Sequence, residues 1–288
     1  MDGPSQLFRR AGPDDLTTIV VFDTIIAISF FILIVNVLVA WFGGMQRIKT
    51  WYLLQLAAAG YALSFAMLLG HQTGPEPPLQ FCAMSAALIY AAPVGASSAT
   101  LFFVIELHLR LSSALFSRTM SNKFIYWVAW GIPLSHGVVF WTALLVGLSD
   151  VSKIQRDPTG IYCHVADAKL PTLMTGTLVI IFLAAMLLME VITIVHLVRQ
   201  QAMVRQLRIR GSDFPLSLFI RMVVFTFFAG FAIVLVDVVM NATNATIIIM
   251  LSFIPLSIAL VFGTQAELLQ VFFCHGNRDK RLSDSTMV

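Results

Sequence analysis

Apolar residues along this chain gather into seven long runs, and prolines, glycines and polar residues gather between them. A helix needs about 20 consecutive apolar residues to cross about 30 Å of hydrocarbon. The first expected span covers 16–42 and stops at Gly43-Gly44; the second covers 51–69 and stops at a polar, proline-rich stretch. The third covers 81–111, the fourth 124–148, and a longer polar loop at 149–170 leads to the fifth at 171–198. Basic residues and a Gly-to-Pro break over 199–215 precede the sixth span at 216–240, and a short link, 241–245, leads to the seventh at 246–272. The runs are continuously apolar rather than alternating, which excludes a transmembrane β-barrel. The pattern predicts an all-α membrane protein, a seven-transmembrane helix bundle over 16–272, with a terminal segment at 1–15 and a polar tail at 273–288. The first run is of span length and lacks a small-residue cleavage site after it, so a cleavable signal peptide is not expected.

Composition narrows the class without changing it. Hydrophobic residues make up 58% of the 288 and charged residues 11%, and mean hydropathy is +0.87. Soluble domains carry about 25% charge, so a cytosolic enzyme, a disordered chain and a nucleic-acid binder are excluded. The net charge of +3 matters less than where the bases sit. Alternate loops fall on opposite faces of the membrane, and thirteen of the 18 bases fall in one set, from Arg47 and Lys49 to Arg278, Lys280 and Arg281. The other set holds Arg9, Arg10, Lys153, Arg156 and Lys169. By the positive-inside rule the amino terminus is expected outside and the carboxyl terminus in the cytoplasm, with the plasma membrane as the expected location.

That orientation organises the remaining polar chemistry. Tandem N-glycosylation sequons begin at Asn241 and Asn244, both in the expected outer link. Cys82, at the outer start of span three, and Cys163, in the long outer loop, fall on the oxidising face. They can form a disulfide pinning that loop across the mouth of the bundle, or remain two unrelated thiols. Cys274, beside Phe272, Phe273 and a basic tail, is a candidate for palmitoylation or an inert thiol.

Several motifs carry a family resemblance. Asn36 stands in Val35-Asn36-Val37-Leu38-Val39, Thr50-Trp51-Tyr52-Leu53-Leu54-Gln55-Leu56-Ala57 opens span two, and Trp127 and Trp130 precede Pro133. With seven spans, an outer amino terminus and the Cys82 and Cys163 placement, the chain resembles a G-protein-coupled receptor. Gly60 stands where the rhodopsin-like class has an acid in the second helix, and Leu107 follows Glu106 where that class has arginine. Span six has no proline, and Pro255 in span seven lacks an Asn-Pro-x-x-Tyr. In these departures it is more similar to divergent orphan seven-helix receptors of fungi. The resemblance implies an extracellular ligand, whose identity the sequence leaves open, and a heterotrimeric G protein as partner.

Charges in a bilayer are costly, so acids within spans are expected to face the bundle interior. On the outer side, Asp23, Tyr90, Thr175, Asp237 and Asn241 are candidates to line a ligand cavity. Towards the inner side, Glu106 and Arg110 have the i,i+4 acid-first spacing of a helical ion pair. Arg199 and Arg221, at facing ends of spans five and six, offer alternative partners for Glu106 or Glu190. Together these five are a candidate activation latch; static pairs that only neutralise buried acids are the competing reading. The basic strip with Arg199, Arg205, Arg208 and Arg210 suits a G-protein α-subunit or anionic membrane lipid equally.

Other chemistries are not expected. All five lysines lie in loops, at a helix start or in the tail, so retinal Schiff-base chemistry is excluded. The six histidines are scattered singly; His108 and His196 are expected to approach on the inner side, yet two ligands are too few for a metal site. No nucleophile motif or Gly-rich phosphate loop suggests an enzyme or a cofactor. The rival class is a seven-helix small-molecule or lipid transporter, since Pro93-Val94-Gly95 and Gly131-Ile132-Pro133 interrupt spans three and four.

Overall fold

The computed structural model describes residues 13–45, 47–116, 122–201, 219–227 and 244–264. They form seven helical stretches: α1 (Pro13–Phe42), α2 (Lys49–Ala66), α3 (Leu79–Phe116), α4 (Asn122–Ser149), α5 (Lys169–Arg199), α6 over 219–227, and α7 (Asn244–Gly263). Between α4 and α5 a short hairpin pairs β1 (Ile154–Arg156) with β2 (Cys163–Val165).

Helix limits follow local chemistry. Pro13 opens α1, where its missing N–H costs nothing and its fixed φ suits the first turn. At the other end Gly44 takes φ +64°, and the amides of Gly43 and Met45 return to the carbonyls of Val39 and Ala40. A glycine in that left-handed conformation is the usual way to stop a helix.

Among the described residues, four stretches are long and apolar enough to cross a membrane: Leu16–Phe42, Leu79–Ser113, Trp130–Ser149 and Lys169–Arg199. Their outward faces carry large apolar side chains such as Phe31, Trp41, Leu134, Leu145, Ile180 and Leu188, all exposed. So extensive an apolar surface would aggregate in water and is stable in hydrocarbon. The chain is a membrane protein. α2 differs in character, because Thr50, Gln55, Tyr61 and Ser64 are buried against its neighbours. It also stops at Ala66, short of the expected 69. α7 ends at Gly263, where the expected seventh span runs to 272; the stretch beyond Thr264 lies outside the described residues.

α3 is the axis of the assembly. It packs against α2, α4, α5 and both strands, while α1 packs against α2 and α7. Small residues allow the approach: the His136 ring rests over Gly95 and the Phe102 ring over Gly131, leaving no room for a Cβ at either glycine. The core gathers Trp51, Leu54, Phe103, Leu107, Met222 and Phe262 into one apolar cluster.

Candidate functional site

Two groups of polar contacts join separate elements, one at the hairpin end and one at the opposite end of the bundle, and each has its own construction. At the hairpin end, Cys82 on α3 and Cys163 on β2 form a disulfide with Cα atoms 5.4 Å apart. The strands pair antiparallel, with Arg156 opposite Cys163. Between them the chain turns on Asp157, whose Oδ1 accepts from the Thr159 amide at 2.9 Å, and on Gly160 at φ +78°. Gly160 lies directly on the Gln72 carbonyl, and a Cβ there would collide with it. Gln72 in turn donates through Nε2 to Asp23 on α1 at 2.7 Å. Arg156 donates to the carbonyls of His71 and Gly74, both at 3.0 Å. The hairpin is therefore tied to α1, to the α2–α3 connection and to α3 at once.

That anchoring drives Ile161 into the bundle. It is fully buried, in a cluster with Ile19, Phe22, Tyr61, Phe65 and Ala92 from the first three helices. Tyr162 follows, its ring edge-on to Phe65 at 6.4 Å. Burial first, and then the neighbouring Asp157, push the Tyr162 phenol above its ordinary range, so it stays neutral. At the exposed base of the hairpin the Asp150 carboxyl is held below its usual range, chiefly by the Ser152 hydroxyl and Lys153.

Of the residues expected to line an outer cavity, two meet. Thr175 on α5 donates to the Tyr90 carbonyl at 2.9 Å, and the Tyr90 hydroxyl reaches the Val165 carbonyl at 3.5 Å. Asp23 stands apart, half-buried on α1 and bonded to Gln72. Asp237 and Asn241 lie outside the described residues, as does Cys274; Asn244 is the first residue of α7.

At the opposite end, four polar junctions each tie one helix to another. Glu106 on α3 is buried and accepts from the Thr50 hydroxyl at 2.6 Å and the Thr50 amide at 3.3 Å, joining α3 to the start of α2. Its other oxygen takes two bonds from Arg110, at 2.9 and 2.7 Å. Arg221 on α6 donates to the Val261 carbonyl at 2.7 Å and to the Thr264 hydroxyl and carbonyl at 3.0 and 3.1 Å. On α5, Glu190 is paired with Thr226 of α6 at 2.6 Å. Thr193, also on α5, meets His108 Nδ1 of α3 at 2.7 Å, and the His108 and His196 rings lie 5.6 Å apart.

The expected pair Glu106–Arg110 is therefore formed, and so is the approach of His108 to His196. The expected reach of Arg221 to a buried acid is not: its guanidinium caps α7, whose last carbonyls have no intrahelical donors. Arg199 is exposed at the end of α5 and makes no ion pair with Glu106 or Glu190. The acids are met by hydroxyls of Thr50 and Thr226 instead, residues whose roles sequence reasoning missed. Thr50 at least stood in the motif that opens span two; Thr226 carried no signal.

A third point of close approach joins α1 to α7. The buried Asn36 amide donates to the Ala259 carbonyl at 3.2 Å, and Gly263 packs so tightly on it that a Cβ would sit 2.7 Å from Nδ2. Among the described residues no group of three or more His, Cys, Asp or Glu side chains could hold a metal ion. No protein-family model matches the chain, and no curated protein matches it.

Proposed function

We propose that the protein is a multi-pass receptor of seven spans that senses an extracellular ligand at the hairpin end and signals to a heterotrimeric G protein at the other. The observation that carries this reading is the disulfide-anchored hairpin, which closes one end of the bundle over α3 while α3 itself runs on to the polar junctions at the far end. A perturbation of the hairpin then bears directly on the helix that contacts α2 and α5 at those junctions. Signalling requires an element with two discrete arrangements, and hydrogen-bonded junctions between helices exchange partners more readily than an interdigitated apolar core. The excess of bases at the far end supports a cytoplasmic placement there, with the amino terminus outside.

Co-expression with Gα subunits in membranes free of other receptors tests the proposal. Guanine-nucleotide exchange above that of empty membranes is expected, reduced by Cys82→Ser or Cys163→Ser. The alternative, a small-molecule or lipid transporter, draws on Pro93 and Pro133 inside α3 and α4. It requires substrate movement in proteoliposomes without any G protein. Absence of exchange together with such movement would decide for transport.

A further inference from the structure

We propose that Glu190 is a proton-binding site whose occupancy sets the hydrogen bond between α5 and α6. Proton binding at this carboxyl is independent of whether the bundle signals or transports.

Glu190 is 5% exposed, deep in α5. A buried carboxyl without a nearby cation is a functional group by default in a membrane protein, because a bare charge there is so costly. Among the described residues, Glu190 makes no ion pair. Among the described residues, the charged side chains on the packed helices are engaged or remote: Glu106 with Arg110 on α3, Arg221 with the end of α7, Arg199 exposed at the end of α5. Its polar partner is Thr226 Oγ1, 2.6 Å away, and that same oxygen is 3.0 Å from the Met222 carbonyl. A threonine hydroxyl has one hydrogen to give. With Glu190 protonated, the carboxyl O–H donates to Thr226 and Thr226 donates to Met222. With Glu190 ionised, Thr226 must turn its hydrogen onto the carboxylate, and its bond to Met222 is given up. One proton gained or lost therefore reverses the donor at the α5–α6 junction.

The test is infrared difference spectroscopy on the full chain in lipid nanodiscs. Wild type minus Glu190→Gln is expected to show the carbonyl stretch of a protonated carboxylic acid at neutral pH, lost as the pH is raised; a carboxylate signal alone at neutral pH would overturn the proposal. The glutamine variant keeps the shape and the bond to Thr226. As a second variant, Thr226→Val removes the hydroxyl that stabilises the carboxylate, and the band is expected to persist to higher pH; an unmoved titration would refute the Thr226 switch. Spin labels at positions 199 and 220, in a Cys274→Ser background, are expected to report a pH-dependent α5–α6 distance in wild type and none in Glu190→Gln. Equal behaviour in both chains would separate the helices' movement from this proton.

Discussion

Single side chains in this bundle illustrate how differently buried polar groups can be settled. Glu106 is satisfied from two sides, by the Thr50 hydroxyl and amide and by the Arg110 fork. Removing one donor from a buried, charged acceptor costs about 1–3 kcal/mol, so Thr50→Val should lower the thermal midpoint of the purified protein in detergent, while Thr50→Ser restores most of the loss. Gln55 is the opposite case: it is fully buried, and neither amide atom has a hydrogen-bond partner among the described residues. Replacing an unpaired buried amide by an apolar group of similar volume removes a desolvation cost, so Gln55→Leu is expected to raise the same midpoint. The Glu106–Arg110 pair was legible because both partners sit on one helix at a fixed spacing. Thr50 was not, because it lies 56 positions away from Glu106 and only the packing of α2 on α3 brings it there.

Elements show the same division. The helices were readable as apolar runs because the bilayer demands length and apolarity of whatever crosses it, and the glycine stop of α1 was visible as Gly43-Gly44. The hairpin was not readable: strands of three residues are too short for an alternating pattern to declare itself. Its position depends on long-range ties, above all the disulfide, which spans 81 positions. Closing a loop of that length stabilises a fold by about 4–5 kcal/mol in the chain-entropy account. Cys163→Ser should accordingly cause a large fall in thermal stability, and the turn at Ile161 should become accessible to protease in intact vesicles. Where α1 meets α7, Gly263→Ala would drive a methyl into the Asn36 amide. That amide is held by the Ala259 carbonyl, so the two helices must separate slightly, with an expected loss of about 1 kcal/mol in unfolding measurements that Asn36→Ala, in the same chain, partly relieves.

For the whole molecule, the outstanding prediction is orientation. If the amino terminus is outside, Asn241 and Asn244 face the lumenal side, and endoglycosidase treatment of protein made in eukaryotic cells should increase its gel mobility. Labelling of an introduced cysteine in the 199–215 stretch should then occur only after the membrane is permeabilised. Both outcomes in reverse would invert the topology and move the hairpin to the cytoplasm, where its disulfide would not be expected to persist.

What the sequence determined by itself was set by solvent. Scarce charge, long apolar runs and their punctuation follow from the cost of placing peptide and side-chain polarity in hydrocarbon, a cost felt locally and so written locally. The pairing of Cys82 with Cys163 was partly legible, since both fall on one expected face. What only the tertiary structure decided was partnership. Arg221 went to the end of α7 rather than to an acid, Glu190 found Thr226, and Ile161 entered the cluster between the first three helices. In each case the choice turned on which helices lie side by side and how they are rotated, and packing against small residues fixes that geometry without leaving a periodic mark along the chain.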